Sequence, residues 1–312
     1  MGITLLGMSV QGYAQPATPS FTKEISFITD NDNYLLQKRD GYYTNGFYFS
    51  YQHLIKKKLR HKTIMRYELG QMIFNPYKYS ITDPEQMDRP FAGYLYVKAN
   101  RSRFFEKGNN LQYGISVGIL GPASGAQQTQ RNYHKLINIY EVKGWGYQLK
   151  NEPGVSLNVQ YSHPLSGMLK SGDAVDLHAI AKANAGNIFS NATAGFLFRI
   201  GLMENSTQSV AWNSRLHAAS PSYLHKKEFF VFFQPEIMYQ AYNATLQGGL
   251  FRDDKGPVTA SPEPLIYQQR IGIMYAKQRI TIVLADVHRT KEAKQMRRKE
   301  NYGSITLGYR LK

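Results

Sequence analysis

A strict alternation of apolar with small or polar residues is the feature that most limits what this chain can fold into. In the stretch from Asp30 to Tyr51, DNDNYLLQKRDGYYTNGFYFSY, the side chains of Tyr43, Phe47, Phe49 and Tyr51 fall on one side of a period of two. The same alternation recurs over residues 114–119, 155–162, 192–202, 229–240 and 305–311. Because successive side chains of a β-strand point to opposite faces, this pattern predicts a chain built almost entirely of strands.

The face opposite the apolar residues carries charge, and this decides between two kinds of all-β protein. The charged residues of that face are Arg66, Glu68, Lys98, Asp176, Lys182, Arg199 and Glu236. A dry β-sandwich core, the alternative fold, would hold such charges only with dense pairing. A barrel whose apolar face meets lipid places them in a polar lumen. We count about twelve segments of roughly ten residues, long enough to cross a bilayer at a barrel's tilt, and predict an all-β, transmembrane antiparallel β-barrel.

One segment breaks this rhythm. From about Gln128 to Tyr140, QTQRNYHKLINIY, apolar residues recur at spacings of three, one and three, which is typical of a helix. Gly144, which follows this segment, is a signal for the end of a helix. A single short helix in an all-strand chain is expected to lie beside or across the mouth of the barrel.

The amino terminus and the composition indicate export. Ile3 to Val10 form a short apolar run, and Gly12-Tyr13-Ala14 offers small residues for signal cleavage. We therefore expect residues 1–14 to be a signal peptide, truncated at its start or beginning upstream, and residues 15–312 to form one barrel domain. The absence of cysteine suits an exported bacterial protein.

The formal net charge of +16 bears on partners rather than on fold. The basic residues are scattered through predicted loops and strand ends, and the sequence lacks a zinc finger, an RNA-binding sheet motif or a basic helix. This distribution argues against nucleic acid and favours the anionic headgroups of outer-membrane lipids.

Two polar clusters are the candidates for chemistry. Asp30 to Asn33 gathers carboxylates and carboxamides, the ligands that hard cations prefer, and His134 follows Gln130 by four residues on one helix face. The alternatives are an ordinary loop and a surface histidine. Because the sequence has no Gly-x-Ser-x-Gly elbow and no His-Glu-x-x-His motif, hydrolysis by activated water with a bound cation fits this inventory best.

Three stretches, in this order and spacing, resemble the family of outer-membrane lipid A 3'-O-deacylases. They are DND followed by DGYYTNGF (Asp30 to Phe47), DRPFAGYLY (Asp88 to Tyr96), and GPASGAQQTQRNYH with GWGYQLKNE (Gly121 to Glu152). The second half of the chain resembles the family only in its alternating strands.

The resemblance implies a twelve-stranded outer-membrane barrel that cleaves an ester-linked acyl chain from lipid A of lipopolysaccharide, with calcium, and that we expect to be a monomer. It implies a site between the wall and a short helix, near the outer leaflet, formed by Asn31, Asp32, Thr44, Gln130 and His134. In this scheme Asp32, with Asn31 as a second candidate, lies at the cation, and His134 activates water. Lys78, Glu141 and Arg89 are the candidate substrate contacts, although Lys78 is out of register with the family lysine and the family glutamate falls on Tyr140, beside Glu141.

Two other functions stay open at this point. A serine-dependent outer-membrane phospholipase needs a serine two residues after a strand histidine, but His163 is followed by Pro164 and Leu165. A non-catalytic barrel, acting as a channel or structural protein, would be expected to have lost the site residues, yet five of them are present.

Overall fold

The computed structural model describes residues 20–35, 41–58, 61–78, 80–165, 174–218 and 223–312, and the strands among them close into a barrel. The strands are β1 (Lys23–Asn31), β2 (Tyr42–Lys58), β3 (His61–Asn75), β4 (Ala92–Phe105), β5 (Asn110–Leu120), β6 (Glu152–Pro164), β7 (Val175–Gly186), β8 (Phe189–Leu202), β9 (Lys227–Asn243), β10 (Leu265–Lys277), β11 (Ile280–Arg289) and β12 (Glu300–Leu311). Each strand pairs antiparallel with its chain neighbours, and β1 pairs with β12 to close the barrel. The predicted twelve-stranded antiparallel barrel is therefore confirmed, while the predicted signal peptide lies outside the described residues.

The two faces of the wall differ as the alternation predicts. On β8, Phe196 and Ile200 are exposed on the outer face, whereas Arg199 between them is fully buried inside. Inside the barrel the charges pair, as Lys182 does with Glu236 at 2.5 Å. The outer face is apolar and the inner face is polar, which is the arrangement of a barrel that lies in lipid.

The two ends of the barrel are unequal. One end, here called the loop end, carries the connections over residues 32–41, 76–91, 121–151, 244–264 and 290–299. Helix α1 (Ala126–Leu136) lies in the connection between β5 and β6, and a single-turn helix α2 (Ala244–Gln247) follows β9. The opposite end, here called the terminal end, carries both ends of the barrel chain and the connection from β8 to β9. Among the described residues, none of the helices is long and apolar enough to cross a membrane.

Buried ion pairs fill the lumen near both ends. At the loop end these are Arg89 with Glu292 at 3.5 Å and Arg289 with Glu300 at 3.2 Å. At the terminal end they are Arg215 with Glu228 at 2.8 Å and Arg310 with Glu24 at 2.9 Å. Arg89 and Glu292 join two loops, Arg215 and Glu228 join a loop to β9, and the other two pairs join neighbouring strands, so these side chains also hold the loops in place.

Two local predictions need correction. Tyr43 does not share the outer face with Phe47, because a β-bulge between Tyr43 and Asn45 turns the Tyr43 ring into the lumen against Phe74 and Tyr302. The helix is shorter than Gln128 to Tyr140 suggests. It ends at Leu136, two residues before Asn138, whose positive φ of 52° a continuing helix does not allow.

Candidate active site

The first half of the site lies on the barrel wall, at the loop end of β1 and β2. Asn31 pairs in register with Asn45, and Thr44 occupies the bulge between Tyr43 and Asn45. Paired residues on neighbouring antiparallel strands point to the same face, so the Asn31 and Asn45 amides are neighbours on the outer face. Asn31, Thr44 and Asn45 are each 2% exposed or less. The bulge therefore places these three polar side chains together at the loop end of the wall, whose outer face is otherwise apolar.

Asp32 stands at the turn that follows β1. Its Oδ2 accepts a hydrogen bond from the Gly41 amide at 2.9 Å, which ties the two ends of the 32–41 connection together. Asn31 Oδ1 accepts from the Asn33 amide at 2.7 Å and so starts a 3₁₀ turn over Asp32–Leu35. The predicted cluster Asp30–Asn33 is split by the alternation, because Asp30 points into the lumen and accepts a hydrogen bond from the Tyr43 hydroxyl at 2.8 Å.

The second half of the site lies on helix α1, which packs against the outer face of β3 and β4. A Cβ atom placed on Gly93 would lie 2.2 Å from Ala126 Cβ and 2.3 Å from Ser124 Oγ, so only glycine lets the helix start approach the wall this closely. Gln71 Nε2 donates to the Ser124 carbonyl at 2.7 Å and fixes the same turn. The packing orients the helix so that Gln130 and His134 face inward and are buried.

The imidazole of His134 is held in one tautomer. Its Nδ1 lies 2.8 Å from the carbonyl oxygen of Tyr140, which can only accept a hydrogen bond. Nδ1 therefore carries the proton in the neutral ring, and Nε2 carries the lone pair. The Tyr140 ring packs edge-on against the imidazole at 5.4 Å between centroids and limits its rotation. This is the orientation that a general base needs.

Gln130 is oriented by a tryptophan. Trp145 Nε1, which can only donate, bonds to Gln130 Oε1 at 2.8 Å, so the amide nitrogen must point the other way. Among the described residues that nitrogen has no hydrogen-bond partner. Gln130 thus offers a donor one helical turn from His134, suited to orienting water or a substrate oxygen.

Tyr133 joins the two halves. Its ring contacts Phe47 of β2 at 5.9 Å, and its hydroxyl is hydrogen-bonded to Tyr34 in the turn after β1. Burial, the Tyr34 hydroxyl and the negative charge of Asp32 raise the pKa of Tyr133 to about 12, so the phenol stays neutral. The helix carrying His134 is therefore docked onto the turn that carries Asp32.

The three candidate substrate contacts occupy different places. Glu141 lines the same small cleft as Gln130 and His134 and pairs loosely with Arg131 at 3.7 Å. Lys78 is exposed and lies over the ring of its neighbour Tyr77. Arg89, in contrast, is fully buried in the lumen against Glu292, Thr245 and the Phe74 ring. We therefore correct its assignment from substrate contact to lumen residue.

Sequence reasoning missed three residues of the site: Asn45, Tyr133 and Trp145. Asn45 is the variable position of the YT-x-G motif, and its amide is 1% exposed without a hydrogen-bond partner among the described residues. Its polarity at an outer-face position was a usable signal. Tyr133 could not be found in this way, because its partners Tyr34 and Phe47 come from a distant part of the chain, and the contact of Trp145 with Gln130 depends on how the β5–β6 connection folds.

The donor set suits a hard cation better than a soft one. Asp32, Asn31 and Asn45 present one carboxylate and two carboxamides, and the unpartnered Asn45 Oδ1 is an oxygen ligand of the kind that calcium accepts. The described residues hold no group of three or more His, Cys, Asp or Glu side chains that could bind a metal ion. With one carboxylate and neutral oxygens, we expect weak binding of calcium rather than a zinc site.

Comparisons with known proteins agree with the fold. The family model described as "Outer membrane protein LpxR" matches residues 1–311. The solved structure of LpxR from Salmonella typhimurium is similar, with a TM-score of 0.73 at 19% identity, over 92% of this chain and 99% of that one. The β domain of the Bordetella autotransporter BrkA reaches a TM-score of only 0.47 at 8% identity, over 94% of this chain and 99% of that one. No curated protein sequence matches the chain at a significant level.

Proposed function

The chain belongs to the LpxR family of outer membrane proteins, and on this basis we propose that it is a lipid A 3'-O-deacylase, which hydrolyses an ester-linked acyl chain of lipid A. The observation that carries this proposal is the position of the site. Asn31 lies on the outer face of the wall at the loop end, next to the bulge at Thr44, and Gln130 and His134 lie on the helix that packs against this outer face and not inside the lumen. Longer loops of outer-membrane barrels face the cell exterior, so a lipid of the outer leaflet reaches this site without leaving the membrane.

The chemistry follows from the orientation of His134. In the neutral ring, Nε2 takes a proton from a water molecule while Nδ1 keeps its hydrogen bond to Tyr140. The water oxygen then attacks the ester carbonyl carbon, and the imidazolium returns the proton to the leaving sugar oxygen. Gln130, fixed by Trp145, orients the water or the carbonyl through its amide N–H.

Asp32, Asn31 and Asn45 would hold the cation. Calcium, when bound there, supplies positive charge to the carbonyl oxygen as that oxygen becomes an anion, an effect worth several kcal/mol. Two observations support this role for Asp32: its Oδ2 is already fixed by the Gly41 amide, and the residue is only 4% exposed. Because the side chain is already fixed, it loses little conformational entropy when it binds a metal ion.

Basic residues beside Asp32 suit the phosphates of lipid A. Arg298 and Lys299, in the connection before β12, line a small cleft together with Asp32 and Tyr42. The Tyr42 hydroxyl accepts hydrogen bonds from the amides of Arg297 and Arg298 at 2.8 and 3.2 Å, which holds this loop near the site. Arginine and lysine side chains in such a position favour anionic headgroups.

Buried ion pairs at both ends of the lumen argue against a channel. Arg89 with Glu292 at the loop end and Arg215 with Glu228 at the terminal end are buried pairs that tie the loops over the two ends of the barrel. Separating a buried ion pair is costly, typically several kcal/mol. An open pore would have to break such pairs.

The proposal is tested with the purified protein in mixed micelles with lipopolysaccharide and calcium. Mass spectrometry of the lipid A should show the loss of one ester-linked 3'-acyl chain and the release of the matching free fatty acid. The His134→Asn variant is the matched control and should leave lipid A intact. Unchanged lipid A with the wild-type protein, or cleavage of phospholipid instead, would refute the proposed substrate.

A further inference from the structure

A concave band on the outer wall lies below the candidate site. It is lined on β1 and β2 by Ile25, Phe27, Phe49 and Tyr51, and it extends over the neighbouring strands to Leu69 and Leu307. The concavity has a volume of about 850 Å³, and its lining is almost entirely apolar. A barrel wall that simply faced lipid would need no concavity, so the band is a candidate binding surface.

The register connects the band to the site. Below the Asn31–Asn45 pair, the next outward pair is Thr29 with Phe47, followed by Phe27 with Phe49. Phe47 contacts Tyr133 of helix α1, next to His134, and Phe27 and Phe49 are 4.6 Å apart between ring centroids. A continuous apolar path therefore descends from the helix to the concave band along the seam between β1 and β2.

The depth of the band matches the far part of an acyl chain. Ile25 lies six residues below Asn31 on the same strand, about 20 Å at roughly 3.3 Å per residue. At a strand tilt of about 40° this corresponds to a depth of about 15 Å, which is half of a hydrocarbon core of about 30 Å. A chain whose ester lies at the Asn31 level thus has its distal part near Ile25, at the centre of the bilayer.

Resting on the proposed function, we propose that this band binds the distal part of the acyl chain that is cleaved and so sets the preferred chain length. The occupant is the chain of the substrate, because the path starts at the site and holds no charged side chain on its outward pairs. Long chains fill the band and are held in line with His134. Short chains end above Phe27 and gain no contact there.

Two variants with opposite effects test this inference. Ile25 is 48% exposed, and Ile25→Trp would fill the band, whereas Phe49→Ala would enlarge it. The substrates are synthetic glucosamine lipids with one ester-linked chain of graded length, in mixed micelles with the full-length protein. Ile25→Trp should lower kcat/KM about tenfold for the longest chains and leave the shortest unchanged, and Phe49→Ala should shift the optimum to longer chains.

The control is Val231→Trp, an equally exposed outward position on β9, outside the band. It should leave the length profile of the wild type unchanged. Equal profiles for Ile25→Trp, Phe49→Ala and Val231→Trp, in folded proteins with a normal circular dichroism spectrum, would refute the role of the band while leaving deacylation intact. A wild-type protein that releases no fatty acid from any member of the series would refute the proposed function, and this inference with it.

Discussion

The most decisive change is His134→Asn, because it separates the chemistry of the imidazole from its structural contacts. An asparagine amide can reach the position of Nδ1 and still donate to the Tyr140 carbonyl, 2.8 Å from Nδ1 in the structure, but it offers no basic nitrogen in place of Nε2. Loss of a general base costs about 10²–10⁴ in rate, or roughly 3–5 kcal/mol of transition-state stabilisation. We expect a loss of this size in kcat.

The structural cost of the same change is smaller. It removes an aromatic contact with Tyr140, worth about 0.5–1.5 kcal/mol, while the hydrogen bond is largely kept. The helix should therefore stay docked. Trp145 reports on this, because it bonds to Gln130 on the helix and the chain has only one other tryptophan, Trp212. In a Trp212→Phe background, the fluorescence of Trp145 should be the same with and without His134→Asn.

The assay is release of fatty acid over a range of pH. At every pH the residual rate of His134→Asn should stay below the wild-type rate by this factor, since the asparagine amide cannot accept a proton from water. His163→Asn is the matched control, because His163 is exposed at the terminal end and bonds only to the Asn109 side chain among the described residues. A wild-type rate for His134→Asn, or an equal loss for His163→Asn, would refute the assignment of the base.

Three further predictions concern the cation, the helix and the membrane. A calcium chelator should abolish activity reversibly, and Asp32→Asn should raise the calcium concentration needed for half-maximal rate; full activity in chelator would rule out the cation. Gly93→Val should abolish activity but not barrel assembly, because the valine side chain would collide with Ala126 and Ser124 and displace helix α1. An active variant in the same assay would contradict the docking of the helix on the wall. Phe233→Arg should destabilise the membrane-inserted barrel by about 2–4 kcal/mol, measured by unfolding in urea from lipid vesicles, whereas an unchanged transition would contradict the lipid-facing assignment of β9.

The period-two alternation was enough to predict the barrel and its approximate strand number, because the direction of a strand side chain depends only on position along the chain. The charged inner face, as at Arg199 and Glu236, followed from the same rule. The helix and the pairing of Gln130 with His134 on one face were also predictable, since helical spacing is equally local.

Only the tertiary structure decided what depends on contacts between distant segments. The bulge at Thr44 reverses the side on which Tyr43 lies, and no local pattern marks it. Arg89 is adjacent to site-like residues in sequence, yet its partners Glu292 and Thr245 draw it into the lumen. The alternation of single strands is a local property, whereas register, bulges and ion pairs are set by which strands and loops meet when the barrel closes.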